Sequence, residues 1–338
     1  MPDPQPQPQI QIQIHHRCSS PTGLSSVTTL LTTPTSSLLI DPPFLLSDAH
    51  ATLAWLRTLT TPLSPLKAIF ITHHHPDHFF SANPILAAFP AAKFYAAPYV
   101  RARIDAEYAQ KVPYWAKVLG QENIPAAPQR PAPYPFSFFL LGEEQEPVFL
   151  LGPVVGDCVD QTVFWIPGVR AVVAGDVVFG RSVHVWLEET ETPALLSSWH
   201  STLNLIASLN PVHIIPGHME AGWELDAEAD LAHTRRYLDL FAEKVFPGAS
   251  GNGNANENSN ENGNVNRNDN NNVPTKPPVR ELYEFFERAF PECRENKDFF
   301  LGHLANQFGE GGKVWEENRH PEVVSGRTVE GLSGFLLG

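Results

Sequence analysis

Leu66-Lys67-Ala68-Ile69-Phe70-Ile71-Thr72-His73-His74-His75-Pro76-Asp77-His78 is the stretch whose reading decides the fold. Its first six residues are nearly all apolar, the pattern of a strand buried on both faces of an α/β sheet. Where the apolar run stops, four candidate metal ligands follow: His73, His75, Asp77 and His78. His73 and His75 are two apart, so extended backbone points both imidazoles the same way, while His74 points opposite and reads as support. Pro76 stiffens the turn between the two ligand pairs. Sites of α/β proteins gather at the carboxyl ends of strands, which is where this cluster sits. Nitrogen and carboxylate donors at this density suit zinc, one or two ions, with manganese or iron as alternatives where oxygen ligation dominates.

On the N-terminal side, Val27–Leu31 and Ser37–Ile40 read as paired strands closed by Asp41-Pro42-Pro43, and Ala49–Leu59 has helical spacing. Residues 1–20, rich in Pro and Gln, read as a disordered tail with nothing to bury. On the C-terminal side, strands are expected at Lys93–Ala96, Phe136–Leu141, Val148–Leu151, Thr162–Ile166, Ala171–Ala174 and Val212–Ile215. Helices are expected at Pro98–Leu119, Pro193–Leu209 and Leu225–Val245, with a Pro-rich loop over Pro125–Pro135. Residues 249–274, with asparagine at nearly every second position, read as a solvated insertion because the residues between are not apolar. Val279–Phe290 and Lys297–Phe308 read as helices of a C-terminal extension, 275–338, that docks on the main domain at 21–248. Strands followed by strand–helix alternation point to an α/β domain with helix-covered sheets.

Composition narrows the function. A net charge of −14 disfavours nucleic acid, whose phosphates demand clustered Lys and Arg, and disfavours anionic membrane surfaces. Three scattered cysteines, Cys18, Cys158 and Cys293, do not make a disulfide framework and fit a reducing compartment. The N-terminus lacks the basic and apolar segments of a signal peptide. The expectation is a cytoplasmic protein acting on a small-molecule substrate.

His73-x-His75-x-Asp77-His78 after an apolar strand resembles the signature of the metallo-β-lactamase fold superfamily, and the resemblance runs roughly from Leu24 to Val245. It implies a four-layer αββα sandwich with one or two metals at one edge. It further implies that His73 and His75 serve a first metal and Asp77 and His78 a second. Asp176, in Val172-Val173-Ala174-Gly175-Asp176, matches the family's bridging Asp, and His218, in Pro216-Gly217-His218, matches its last histidine. The third histidine of the first metal is missing. Its place holds Gly156-Asp157-Cys158-Val159-Asp160-Gln161, with Asp157 the direct replacement and Asp160 or Cys158 also within reach. A carboxylate there makes the site harder and more negative. Cys158 reads as a small buried residue. His184 and Trp186 are candidates for the pocket wall, His213 reads as structural, and Tyr114, Trp115 and Phe79 read as core or cleft wall.

These expectations combine into a hydrolase that opens a lactone, lactam, ester or thioester with metal-activated water. Asp77 is the catalytic candidate, orienting the nucleophile and returning a proton to the leaving group. An iron-dependent dioxygenase on the same scaffold and a binding protein with a degenerate metal site are the alternatives.

Overall fold

The computed structural model describes residues 12–247 and 276–312. Its N-terminal half is one six-stranded sheet, built from β1 (Gln13–Cys18), β2 (Val27–Thr32), β3 (Ser37–Ile40), β4 (Leu66–Phe70), β5 (Lys93–Ala96) and β6 (Ala132–Pro133) in that spatial order. The first three strands are antiparallel and the last four run parallel. Parallel neighbours need long crossovers. Those are helices α1 (Leu46–Leu59), α2 (Ala82–Ala88) and α3 (Pro98–Leu119).

A second sheet has the order β11-β10-β9-β8-β7, from β7 (Phe138–Leu141), β8 (Glu146–Val154), β9 (Gln161–Ile166), β10 (Ala171–Gly175) and β11 (His213–Pro216). All its pairings are antiparallel except β10 with β11, which are joined through α4 (Pro193–Ser208). Helix α5 (Ala227–Val245) follows, then α6 (Val279–Ala289) and α7 (Lys297–Phe308).

Side-chain alternation divides the interior. Ala68 and Phe70 of β4 join Leu31, Leu38, Phe164, Val173 and Ile215 in a core between the two sheets. Ile69 and Ile71 point the other way, into a larger core shared with the helices. A strand with apolar residues on both faces is what two flanking layers require. The layers are therefore helix, sheet, sheet, helix.

The N-terminal boundary differs from the expected tail. Gln13–Cys18 pairs antiparallel with β2, from Gln13 opposite Thr32 to Cys18 opposite Val27. Ile12 is buried in the intersheet core and Ile14 packs against it. The signal was the alternation Ile10-Gln11-Ile12-Gln13-Ile14, which is a half-buried strand pattern outweighed by the Pro and Gln around it. The Pro-rich loop likewise contains the short strand β6. The expected segments 1–11, 249–274 and 313–338 lie outside the described residues.

Helices α6 and α7 are anchored by aromatic packing. Phe286 and Phe290 stack on Tyr237 of α5 at centroid distances of 4.7 and 4.4 Å. Tyr237 Oη in turn meets His184 Nδ1 at 3.0 Å, which places His184 in the core rather than in a pocket wall. His233 lies beside Phe290, with Nε2 3.3 Å from the carbonyl oxygen of Val183.

This interface makes stability depend on pH. Burial holds His184 down at about 3 and His233 down at about 4, whereas both titrate near ~6.5 when unfolded. Between those values the unfolded chain binds more protons, so stability is fully present above pH ~6.5 and is lost as pH falls. The expected loss is about 1.4 kcal/mol per histidine at pH ~5.5. Urea unfolding at pH ~7.5 and ~5.5 checks it: His233→Gln should lose less stability between the two pH values than wild type, and equal losses would refute the assignment.

Candidate metal centre

Parallel pairing places the site. Ile40 lies opposite Phe70, so β3 and β4 end together and Asp41 meets the start of the histidine cluster. Asp41 accepts from the Thr72 amide at 2.7 Å and from Thr72 Oγ1 at 2.8 Å, and its Oδ2 lies 3.1 Å from His78 Nδ1. Thr72 Oγ1 lies 2.9 Å from His73 Nδ1. Because Thr72 donates to Asp41, it accepts from His73, which fixes that ring with Nε2 unprotonated and facing the cluster. Pro76–His78 form a single 3-10 turn that returns Asp77 and His78 towards His73.

The second sheet delivers the remaining donors. Asp176 follows β10 and His218 follows β11, two parallel neighbours that end at one edge. Their approach is close. A Cβ on Gly217 would lie 1.8 Å from Asp176 Oδ1, and one on Gly175, whose φ is +52°, would lie 2.6 Å from Thr72 Oγ1. Glycine is required at both places by contact, and at Gly175 also by the left-handed backbone.

The donor atoms converge. His78 Nε2 is 3.2 Å from Asp176 Oδ1, 3.4 Å from Asp77 Oδ2 and 3.4 Å from His218 Nε2. His218 Nε2 is 3.1 Å from Asp176 Oδ2 and 3.3 Å from Asp77 Oδ2. His73 Nε2 lies 3.8 Å from Asp176 Oδ2, and His75 Nδ1 lies 3.0 Å from Asp157 Oδ2. Among the described residues four sets, His73–His75–Asp157–Cys158, His74–His75–Cys158–Glu189, His73–His78–Asp176 and Asp77–His78–His218, each have donor atoms close enough to hold an ion.

Each of the four imidazoles is gripped by its other nitrogen: His73 by Thr72, His78 by Asp41, His75 by Glu189 at 3.0 Å and His218 by the Leu24 carbonyl at 2.8 Å. That is the arrangement by which metal-binding histidines are oriented. The inward atoms His73 Nε2, Asp157 Oδ2 and Asp176 Oδ1 are buried and make no bond of hydrogen-bond geometry. Buried polar atoms left this way are costly unless something else meets them.

The charges are lopsided. Burial lowers His73 well below its ordinary value. Burial also opposes charge on His75, His78 and His218, yet neighbouring carboxylates raise all three, His75 to about 10 through Asp157 and Glu189. Asp176 is held well below the usual carboxylate range in spite of burial, because His218, His78 and His73 surround it. Burial pushes Asp157 up to about 7, with Asp176 and Glu189 adding to the effect against His75.

The cluster floors a cleft lined by Leu24, His75, Pro76, Asp77, Asp157, Asp176 and His218 with the aromatic wall Trp115, Trp186, Phe299 and Phe300. Phe299 stacks on Trp186 at 5.1 Å, and Phe300 meets the edge of His218 at 5.2 Å. All seven sequence-derived candidates, His73, His75, Asp77, His78, Asp157, Asp176 and His218, thus lie together. Asp160 does not join them: its carboxylate pairs with Arg103 at 2.7 Å. Phe79 is core, and His213 is exposed on β11. Sequence reasoning missed Asp41, Thr72, Glu189 and the two phenylalanines of α7. The signal for Asp41 was an acid directly after a buried strand; Glu189 sits in an irregular loop with no spacing to betray it.

Residues 21–218 match the family model of the metallo-beta-lactamase superfamily. Among solved structures, a beta-lactamase domain protein from Burkholderia ambifaria is 17% identical over 72% of this chain and 77% of that one, with a TM-score of 0.50. A metallo-beta-lactamase from Pontibacter korlensis is 16% identical over 68% of this chain and 99% of its own, TM-score 0.46. TMB-1 is 18% identical over 70% of this chain and 99% of its own, TM-score 0.44. No curated protein matches significantly. The likenesses to solved structures are of fold; the family match, spanning the strands and turns that carry all seven candidate residues, establishes that this chain belongs to the metallo-beta-lactamase superfamily.

Proposed function

We propose that the protein is a metal-dependent hydrolase that adds water across a carbonyl bond of a small molecule: a lactone, lactam, ester or thioester. One observation carries this reading. Four imidazoles, each held by its outer nitrogen, aim their inner nitrogens at the carboxylates of Asp77, Asp157 and Asp176, among which His73 Nε2, Asp157 Oδ2 and Asp176 Oδ1 lie buried without a partner of hydrogen-bond geometry.

The donor set fits divalent cations. His73, His75 and Asp157 would hold one ion, Asp77, His78 and His218 another, with Asp176 between them. Nitrogen and oxygen donors of this kind suit zinc, and the carboxylate at 157 also admits manganese or iron. When bound, such ions bring the pKa of a coordinated water towards neutrality and polarise the substrate carbonyl. The chain's own residues do the rest. Asp77 lines the cleft with its carboxylate ionised, since His78 and His218 hold it low against burial. Its carboxylate orients the attacking water, accepts its proton and returns that proton to the leaving group. Trp115, Trp186, Phe299 and Phe300 exclude water and receive an apolar or aromatic portion of the substrate.

Two-metal hydrolysis predicts that purified protein binds up to two divalent ions, and that Asp176→Asn and His78→Ala each lower metal content and cut kcat/KM by at least ~100-fold. Elemental analysis with a lactone, lactam, ester and thioester panel checks this. A single tightly held iron with oxygen uptake would overturn the hydrolase reading. Asp41→Asn should weaken metal affinity ~10–100-fold without removing a ligand, measured by competition with a chelator. Phe299→Ala should raise KM with little change in kcat for an active substrate, because the wall binds substrate and transition state alike.

A further inference from the structure

His75 has a carboxylate against each nitrogen: Asp157 Oδ2 3.0 Å from Nδ1 and Glu189 Oε1 3.0 Å from Nε2. Its neighbour His74 is buried and faces a different set of groups. His74 Nδ1 lies 3.7 Å from Cys158 Sγ, and His74 Nε2 lies 3.4 Å from Glu107 Oε1. The donor atoms of His74, His75, Cys158 and Glu189 all fall within 4.8 Å of one another.

We infer that these four residues form a thiolate-containing zinc position, next to the cleft and sharing His75 with it. Two nitrogens, one sulfur and one oxygen make up a tetrahedral zinc set. Around zinc at ordinary bond lengths, such donors stand roughly 3.3–3.8 Å apart, so the 3.7 Å between His74 and Cys158 needs little adjustment. Each histidine is oriented by a carboxylate on the nitrogen that faces away from this position, Glu107 for His74 and Asp157 for His75. That is the carboxylate–histidine–metal relay found where imidazoles bind zinc. Gln161 Nε2 lies 3.4 Å from Cys158 Sγ and also donates to the Cys158 carbonyl, fixing the sulfur's place.

Charge supports the same conclusion. Lys111 lies 2.5 Å from Glu107 and so offsets that carboxylate. Burial and the carboxylates of Asp157, Glu189 and Asp176 hold the Cys158 thiol well above its ordinary value, and a bound dication would offset the charges of Glu189 and the thiolate as the proton leaves. Binding is a simple exchange: the Sγ–H bond breaks, the sulfur lone pair bonds zinc, and the proton leaves to solvent.

The position deepens the two-metal reading by moving one of its ions, and rests on that reading only for the other. With Nε2 engaged here, His75 keeps Asp157 on Nδ1 as its orienting partner, and the cleft centre consists of His73, Asp77, His78, Asp176 and His218. The absent third histidine at 157 is then no loss, because the ion it would serve has moved towards Cys158.

Zinc-edge X-ray absorption of the full chain loaded with zinc tests this, together with cobalt substitution. Expected are a zinc–sulfur distance of about 2.3 Å and a near-ultraviolet thiolate-to-cobalt absorption. Both should vanish in Cys158→Ser, weaken in His74→Ala and persist in His218→Ala. Circular dichroism melting identifies any variant that fails to fold, and the wild-type spectrum is decisive without the variants. Two bound ions with no sulfur would overturn the thiolate position and leave the hydrolase reading standing. Cobalt absorption that survives Cys158→Ser would overturn it too, by assigning the sulfur to Cys18 or Cys293. Absence of any bound metal would overturn both readings.

Discussion

The buried carboxylate of Asp41 is the constraint on which the centre depends. It stands where β3 ends beside β4, and takes two hydrogen bonds from Thr72 while facing His78 Nδ1 at 3.1 Å. Through Thr72 it sets the ring of His73; directly, it sets the ring of His78. One acid therefore orients imidazoles on both sides of Asp176. Burial raises its pKa, and the donors from His78 and Thr72 work against that rise. Such a group is expensive to bury unless its partners are all in place, so the strand ends, the Thr72 turn and the two histidines are held as one unit.

The two sheets share the remaining work. The first supplies the histidine turn, and the second supplies Asp176 and His218 from the ends of β10 and β11. The sheets meet where the Val27 amide donates to the Gly217 carbonyl and His218 Nδ1 to the Leu24 carbonyl. Gly175 and Gly217 let backbone and carboxylate approach to distances no side chain would permit. The edge that carries the candidate metal centre is thus a seam between sheets, and its precision comes from packed strand ends.

The cleft's apolar wall has a different origin. The family match ends at residue 218, yet Phe299 and Phe300 come from α7, later in the chain. Tyr237, Phe286 and Phe290 lock the preceding helix to α5. Substrate selection in the proposed hydrolase therefore falls partly to an element outside the span of the family match. Among the described residues no helix is long and apolar enough to cross a membrane.

Much of this was legible in residue order. A buried-strand pattern ending in His73-x-His75-x-Asp77-His78 is a local signal of donor type and strand periodicity, and with Gly175-Asp176 and Gly217-His218 after two further strands its resemblance to the family points to the fold and to six of the candidate ligands. The strand at Gln13–Cys18 escaped because its alternation was masked by a Pro- and Gln-rich context. Asp41, Glu189, Glu107 and the α7 aromatics escaped for another reason: each acts through a partner between roughly thirty and more than a hundred positions away, as Asp41 does on Thr72 and Glu189 on His75. The sequence by itself determined the strand and helix pattern and the dense donor cluster at His73–His78 through periodicity and donor chemistry, while the four-layer sandwich and the distant candidates Asp157, Asp176 and His218 came from the resemblance to the family. Which nitrogen each histidine presents, which carboxylate orients it, and how Cys158 comes to lie beside His74 were decided only by tertiary structure, because hydrogen-bond direction depends on how distant strand ends pack.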